Sequence, residues 1–254
     1  GTVWKVRFSA DQSGKWEYIS ESSVKELDGI KGSFSVSGPD PDAAGIFREG
    51  RLEAAGTPQN GIRYLKFREG SFWLKAGCDD PENFLGNLES YNTTAKRKAA
   101  IDYLSSKGIN SLYLITHNLG GDGKDVWPWL GEDGNTARTN GSGEVRFDIA
   151  RLGEWREVFE YMQKKGMVVY IILEDDSAWK DYDHERYYRE MIARFSYLPA
   201  VIFNLNEEYN ENYTLDEALR LAGLFREIDP FDHPFGIHNI KEPDDRYIQS
   251  SHID

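Results

Sequence analysis

The sequence predicts an α/β fold in which a parallel sheet covered by helices follows a stretch of antiparallel β structure. Two observations carry this. Over residues 1–60 apolar residues recur at every second position: Trp4, Val6 and Phe8, then Trp16 and Tyr18, then Phe34 and Val36. That is the period of half-buried strands. From about residue 71 the pattern becomes short, wholly apolar strands alternating with amphipathic helices, the grammar of βαβ units in which both faces of a parallel sheet are covered.

The elements follow in order. Gly14, Gly32, the run Gly38-Pro39-Asp40-Pro41 and Gly45 punctuate the first strands, as expected for part of an antiparallel β-sandwich in an accessory domain over residues 1–60. Residues 50–61 read as a connection, and residues 64–67 and 72–74 as a hairpin around Arg68-Glu69-Gly70. A second domain, residues 61–254, starts with a strand at 71–77 and continues with a helix at 95–107 closed by Gly108 and a strand at 111–116. Asp148 caps the next helix, which presents Leu152, Trp155, Val158, Phe159 and Met162 on one face and ends at Gly166. Strands at 167–173, 200–205 and 235–238 alternate with helices at 182–195 and from Thr214 to about residue 228, the latter opened by the capping box Thr214-Leu215-Asp216-Glu217. No glycine-rich phosphate loop opens a helix: Gly120-Gly121-Asp122-Gly123-Lys124 runs on into Trp127-Pro128-Trp129. This favours a (β/α)8 barrel over a nucleotide-binding open sheet. Strands spaced by about 41 residues make room for five of the eight units that such a barrel has, so an incomplete barrel is expected.

Composition narrows the function. The chain has 254 residues, with 30 Lys and Arg against 43 Asp and Glu, a net charge of −13 without a basic block, which opposes binding to nucleic acid or to anionic membranes. The single cysteine, Cys78, cannot form an internal disulfide, and no Cys/His pairs stand at zinc spacing, so neither a metal nor another cofactor is expected. Asp122 and Asp125 lack the spacing of a calcium loop. The 7 Trp, 14 Tyr and 13 Phe suit sugar stacking but also ordinary core filling.

In barrels of this type the chemistry sits at the C-terminal ends of the strands. Reading those ends gives Asp79 and Asp80, then His117 and Asn118, then Glu174, Asp175 and Asp176, then Asn206, Glu207 and Glu208, then His238 and Asn239. Asp80, followed by Pro81, doubles as a helix N-cap. The sharpest signal is Phe203-Asn204-Leu205-Asn206-Glu207-Glu208: the following helix is capped separately at Thr214, so Glu207 has no capping duty. A carboxyl that protonates a glycosidic oxygen must hold its proton near neutral pH, and Glu208 with the 174–176 cluster is placed to raise its pKa by like-charge repulsion. In the loop of residues 118–144, Trp127 and Trp129 alternate around Pro128, so at most one is expected to offer a ring face to a sugar.

Asn206-Glu207 at the end of this strand resembles the acid/base motif of the large clan of retaining glycoside hydrolases with (β/α)8 barrels. Tyr64-Leu65-Lys66-Phe67, Phe72-Trp73-Leu74-Lys75-Ala76-Gly77, Asp80-Pro81-Glu82-Asn83-Phe84-Leu85, the stretch from Gly120 to Trp129, and Asp229-Pro230-Phe231-Asp232-His233-Pro234 resemble a bacterial family that places a β-sandwich before such a barrel. The resemblance implies a secreted or periplasmic hydrolase of polysaccharides or oligosaccharides. Glu207 would be the general acid/base and Asn206 would bond the 2-hydroxyl of the sugar beside the scissile bond. Glu208, His117, Asn118, Glu174, His238, Trp127, Trp129 and Asp80 are the further candidates for substrate contact. The nucleophile of such enzymes comes from the seventh strand, which the sequence does not show, and the family motif often has Gly where Asn206 stands. Two other readings remain at this stage: a glycan-binding protein without a complete carboxylate pair, and a metal-dependent hydrolase using His117, Glu174 and His238.

Overall fold

The computed structural model describes residues 5–38, 40–56, 64–68, 70–77, 82–86, 93–240 and 244–254. Asp80, with Trp4, Cys78 and Asp79, lies outside the described residues. The N-terminal antiparallel structure consists, among the described residues, of two separate small sheets. One pairs β1 (Gly14–Ile19) with β2 (Lys31–Val36), and the other orders β3 (Leu52–Ala55), β4 (Tyr64–Phe67) and β5 (Phe72–Trp73). In the first, Trp16 lies opposite Phe34 with the rings stacked at 6.4 Å, and Phe8 meets both edge-on. Phe8 is not in a strand, and Val6, expected to be half-buried, stands in solvent.

The parallel sheet has the order β6 (Ser111–Ile115), β7 (Val168–Ile172), β8 (Val201–Asn204) and β9 (Phe235–Gly236). Among the described residues, four parallel strands are therefore seen where five were expected. Phe72 and Trp73 pair back onto β4 across the Arg68 turn, and residues 74–77 form no strand. A hairpin closes a short local loop and so wins those residues from the non-local parallel pairing. Residues 74–77 are instead tied to Asn110, whose Nδ2 donates to Leu74 O at 2.8 Å and whose Oδ1 accepts from Ala76 N at 2.7 Å.

Helices α1 (Thr94–Ser106), α3 (Ile149–Lys164), α4 (His184–Phe195) and α6 (Leu215–Ile228) cover one face of this sheet, packing Ile101, Trp155, Phe159, Met191, Leu221 and Phe225 on Leu112, Leu114, Val169, Ile171, Val201 and Phe203. Their starts are chemically fixed: Thr93, Asp148 and Asp183 accept the N3 amide, and Thr214 with Glu217 forms the capping box. Against the opposite face lie Ile46, Leu52 and Phe67, which meet Val168 and Ile202.

The 118–144 stretch is not all loop. Residues Gly134–Ser142 form helix α2, capped by Asp133, whose Oδ1 accepts from Thr136 N at 2.8 Å. Its composition is poor for a helix. Packing decides: Gly141 lies so close to Trp129 that a Cβ there would sit 3.0 Å from the indole ring.

A buried polar tie joins the N-terminal region to the loop before β9. Arg51 donates from Nη1 to His233 Nε2 at 2.9 Å, and His233 Nδ1 donates to the Asp229 carboxylate at 2.9 Å. Burial alone would raise the Asp229 pKa, but the His233 ring and the amides of Phe231 and His233 outweigh it and hold the carboxyl below its usual range. Asp229→Ala leaves these donors without a partner, so urea denaturation at pH 7 is expected to show a loss of roughly 3 kcal/mol. Lys15→Ala, which breaks an exposed pair with Glu17, is expected to leave the midpoint unchanged. Because the native pKa is depressed, the Asp229 contribution is complete above the ordinary carboxylate range and fades as pH falls through the native value, so the two variants should differ less at pH 3 than at pH 7.

Candidate active site

Beyond the strand ends the backbone keeps the parallel ladder going. Asp175 N donates to His117 O at 2.9 Å, Glu207 N to Glu174 O at 2.9 Å, and His238 N to Asn206 O at 3.3 Å. Residues expected at the C-terminal edge of the sheet are thus locked at one level. Their side chains, however, go to different places.

His117 is fully buried. Its Nε2 donates to Trp179 O at 2.8 Å, Nδ1 faces the Leu119 amide at 3.5 Å, and its ring packs edge-on to Trp129 at 4.9 Å and Tyr182 at 5.2 Å. Burial pushes its pKa down to about 3, which fixes the neutral imidazole in the aromatic core. It is a packing residue and not the expected substrate contact. Asn118 is corrected likewise: its Nδ2 donates to Glu82 O and Asn83 Oδ1, and its Oδ1 accepts from Val126 N at 2.7 Å, so the amide braces two loops against each other. Trp127 and Trp129 are both fully buried, so neither offers a ring to solvent. Arg151 donates to the carbonyls of both and lies over the Trp127 ring at 5.4 Å. Alternation around Pro128 gave opposite directions, but both directions lead into protein because α2 and α3 close over the segment.

Glu174 is also buried. Tyr213 Oη donates to its Oε2 at 2.6 Å and Asn212 Nδ2 to its Oε1 at 3.3 Å. Burial raises its pKa to about 8 against hydrogen bonds from Tyr213, Asn206 and Tyr182. Asn206 is buried beside it, with Nδ2 donating to Asp175 O at 3.2 Å and Oδ1 without a hydrogen-bond partner. His238 is exposed and fixed through its backbone, which also accepts from Tyr209 N at 3.0 Å.

Glu207 is half-buried, and its carboxyl is hydrogen-bonded to that of Asp175. Asp175, which the sequence offered only as one acid of a cluster, is almost completely buried. Its Oδ2 accepts from Asp122 N at 3.0 Å and its Oδ1 from Asp176 N at 2.9 Å. Burial, the Glu207 carboxyl and nearby Asp176 push Asp175 well above the usual carboxylate range, so the two carboxyls keep a proton between them through neutral pH. The signal that could have found it is the strand period: Glu174 and Asp175 must point to opposite sides, so they meet different groups at the end of the next strand, Glu174 meeting Asn206 and Asp175 meeting Glu207.

On the rim, Glu208 takes the left-handed conformation at φ 46° as it opens the short helix α5 (Tyr209–Asn212). This turns its carboxylate toward Asp176 and Glu211, the three offering oxygens within 4.8 Å of one another. Among the described residues that is the group with the spacing to hold a cation, and it is not the His117, Glu174 and His238 set. A cavity of about 560 Å³ between β3, β4 and β9 is lined by Trp73, Tyr170 and Ile202 but by none of these carboxylates, so the acidic edge is the candidate site.

Glu174 and the Asp175–Glu207 pair hold protons in the folded chain that the unfolded chain releases. The native state therefore binds more protons above the ordinary carboxylate range, and stability is expected to fall as pH rises from about 5 to 8. In Glu174→Gln, which can still accept from Tyr213, urea midpoints at pH 5 and pH 8 should lie closer together, by up to about 1.4 kcal/mol per pH unit in the underlying slope. An unchanged difference would show that Glu174 ionises freely in the fold.

No protein-family model matches the chain, and no curated protein does. Solved structures do. A protein of Bacteroides vulgatus ATCC 8482, provisionally assigned as a glycoside hydrolase, superposes over 98% of this chain with a TM-score of 0.75 at 18% identity. A glycoside hydrolase family 5 protein of the same organism matches 78% of the chain with a TM-score of 0.55 at 14% identity. A family 5 mannosidase from Rhizomucor miehei matches 81% with a TM-score of 0.55 at 10% identity. The chain spans 49%, 41% and 60% of the length of these three. At such identities the likeness is one of fold, shared with part of each of these proteins.

Proposed function

We propose that the chain is part of an enzyme that hydrolyses glycosidic bonds in a polysaccharide or oligosaccharide, with Glu207 as the general acid/base. The observation that carries this is the placement of Glu207: half-exposed at the C-terminal edge of a parallel sheet, and hydrogen-bonded to a buried acid that keeps a proton at the pair. Protonation of the leaving oxygen needs a carboxyl that is both reachable and still protonated near neutral pH. The structural neighbours, glycoside hydrolases by their names, support the same chemistry.

In this reading Glu207 passes its proton to the glycosidic oxygen as the bond to the anomeric carbon breaks. Cleavage with retention then requires Glu207, now a carboxylate, to take a proton from the attacking water. Asn206, whose Oδ1 lacks a partner, would meet a sugar hydroxyl once the sugar reaches that depth. His238 and the acids of the rim stand where substrate would pass. No nucleophile is assigned among the described residues. Because such substrates are met outside the cell, the enzyme is proposed to be exported. With Trp127 and Trp129 buried, a glycan-binding reading loses the ring platforms it drew on.

The test is release of reducing sugar from a panel of polysaccharides, set beside binding to the same panel, with the protein in its natural full length. Glu207→Gln should keep the fold and the binding and lower turnover by about 10²-fold or more. Glu208→Gln should cost less, since its carboxylate turns to the rim. Undiminished turnover in Glu207→Gln would remove the assignment.

A further inference from the structure

At the opposite end of the sheet from Glu207, a cavity of about 630 Å³ opens where residues 8–13 and the end of β2 meet the turn before β3 and the segment leading into β8. Pro199, just ahead of β8, holds that turn by accepting from Leu52 N at 2.8 Å. In a chain of net charge −13, the arginines Arg48, Arg51 and Arg68 line this one cavity. Arg68 donates from Nε to Glu53 at 2.7 Å, and Arg48 faces Glu49 at 3.5 Å. Arg51 is the most deeply buried of them, yet it forms no ion pair among the described residues. Its Nη1 is taken by Ser196 O and His233 Nε2, and its guanidinium lies 4.2 Å over the Phe231 ring. Among the described residues nothing accepts from Nε or Nη2, and neither atom is sealed in the interior. Open donors on a buried cation are costly. Burial and the Arg68 guanidinium lower the Arg51 pKa, and Asp229, Glu53 and Asp11 offset them only in part. The cavity is therefore short of negative charge at Arg51.

We propose that this cavity binds a carboxylate-bearing sugar, a uronate, with the carboxylate seated on the open Nε–Nη2 edge of Arg51 beside Arg68. The choice of a sugar rests on the reading of the chain as part of a glycoside hydrolase; the choice of a carboxylate does not. A planar carboxylate matches the parallel N–H directions of that edge, and such charge-assisted pairs are roughly twice as strong as neutral ones. Other anions fit less well. Asp11 and Asp40 also line the cavity and repel a dianion such as sulfate more strongly than a monoanion. Their oxygens can accept only, which suits the hydroxyls around a sugar ring and gives nothing to a bare anion. Phe8 and Tyr197 add apolar surface for the carbon face of the ring. Phe8 is held edge-on to Trp16, and the Tyr197 hydroxyl is taken by Glu160, so both rings are fixed in place. The volume falls within the range of small-molecule sites. Because it lies at the far end of the sheet from Glu207, the site takes a part of an acidic glycan remote from the bond that is cleaved.

The test is a titration of the full-length protein at pH 7 with sodium glucuronate, and in parallel with glucose, sodium acetate and sodium sulfate. Nitrogen-15 labelling of arginine lets NMR follow each Nε–Hε signal separately. Glucuronate should move the Arg51 signal with a Kd on the order of 1 mM, the ordinary strength for so small a ligand, and glucose should leave it in place. Acetate and sulfate should bind at least about fivefold more weakly, the worth of one further hydrogen bond. Arg68→Gln, which breaks only a half-exposed pair with Glu53, should weaken glucuronate by about tenfold. Arg51→Lys keeps the charge without the fork and should abolish binding. Should that variant fail to fold, Arg68→Gln decides. An Arg51 signal that glucuronate does not move, or an unchanged Kd in folded Arg68→Gln, would overturn the proposal. Acetate or sulfate bound as tightly as glucuronate would overturn the assignment to a sugar acid. Glu207→Gln should bind glucuronate as the unaltered protein does. Glucuronate binding without turnover of any polysaccharide would count against the hydrolase reading and leave this site standing, whereas turnover without glucuronate binding would remove this site alone.

Discussion

Everything at the candidate site depends on the parallel ladder running past the ends of its own strands. By regular geometry β6 ends at Ile115, β7 at Ile172 and β8 at Asn204, yet the amides of Asp175, Glu207 and His238 still find the carbonyls of His117, Glu174 and Asn206. Parallel hydrogen bonds are evenly spaced, so this continuation carries the register of the core into the loops. Two carboxyls of like charge are thereby pressed together at fixed depth. Loops free to relax would separate them, and the shared proton would be lost.

The core supplies the force that makes this possible. Helices α1, α3, α4 and α6 bury a continuous apolar face of the sheet, and the aromatic group around His117, Trp129, Tyr182 and Tyr187 closes the ground beneath the acidic edge. Excluding water there is what raises Glu174 and Asp175 and lowers His117: one desolvation acts on acids and on a base in opposite directions, and leaves all three disposed to be neutral. The neutral histidine can then serve as packing. The pair at Asp175 and Glu207 differs from Glu174 in having one member within reach of solvent, and that difference separates a group able to exchange a proton from a group that only stores one.

The rim is built on other terms. Asp176, Glu208 and Glu211 face solvent, where water screens their repulsion, and Glu208 holds a strained left-handed backbone to join them. The negative charge of Asp176 reaches inward to Asp175 and adds to the rise of its pKa.

The sequence by itself determined the α/β grammar, the caps at Asp148 and Thr214, the strands from residue 111 onward and the acidic strand ends, because these follow from periodicity and from hydrogen bonds between near neighbours. It pointed to Glu207, since a glutamate without capping duty after an apolar strand is a local fact. Tertiary structure alone decided the rest. Phe72 and Trp73 joined a hairpin and not the parallel sheet, α2 formed from a poor helix sequence because Gly141 fits against Trp129, and both Trp127 and Trp129, of which at most one was expected to offer a ring to a sugar, went into the core. It also decided which acid meets Glu207. Glu174 and Asp175 are adjacent in the chain and chemically alike, and what separates them is the direction each takes from the strand end: one toward Tyr213 and the other toward Glu207 and the amide beside Gly121. That direction depends on groups about 30 to 55 residues away, brought near only by folding, and no local pattern records it.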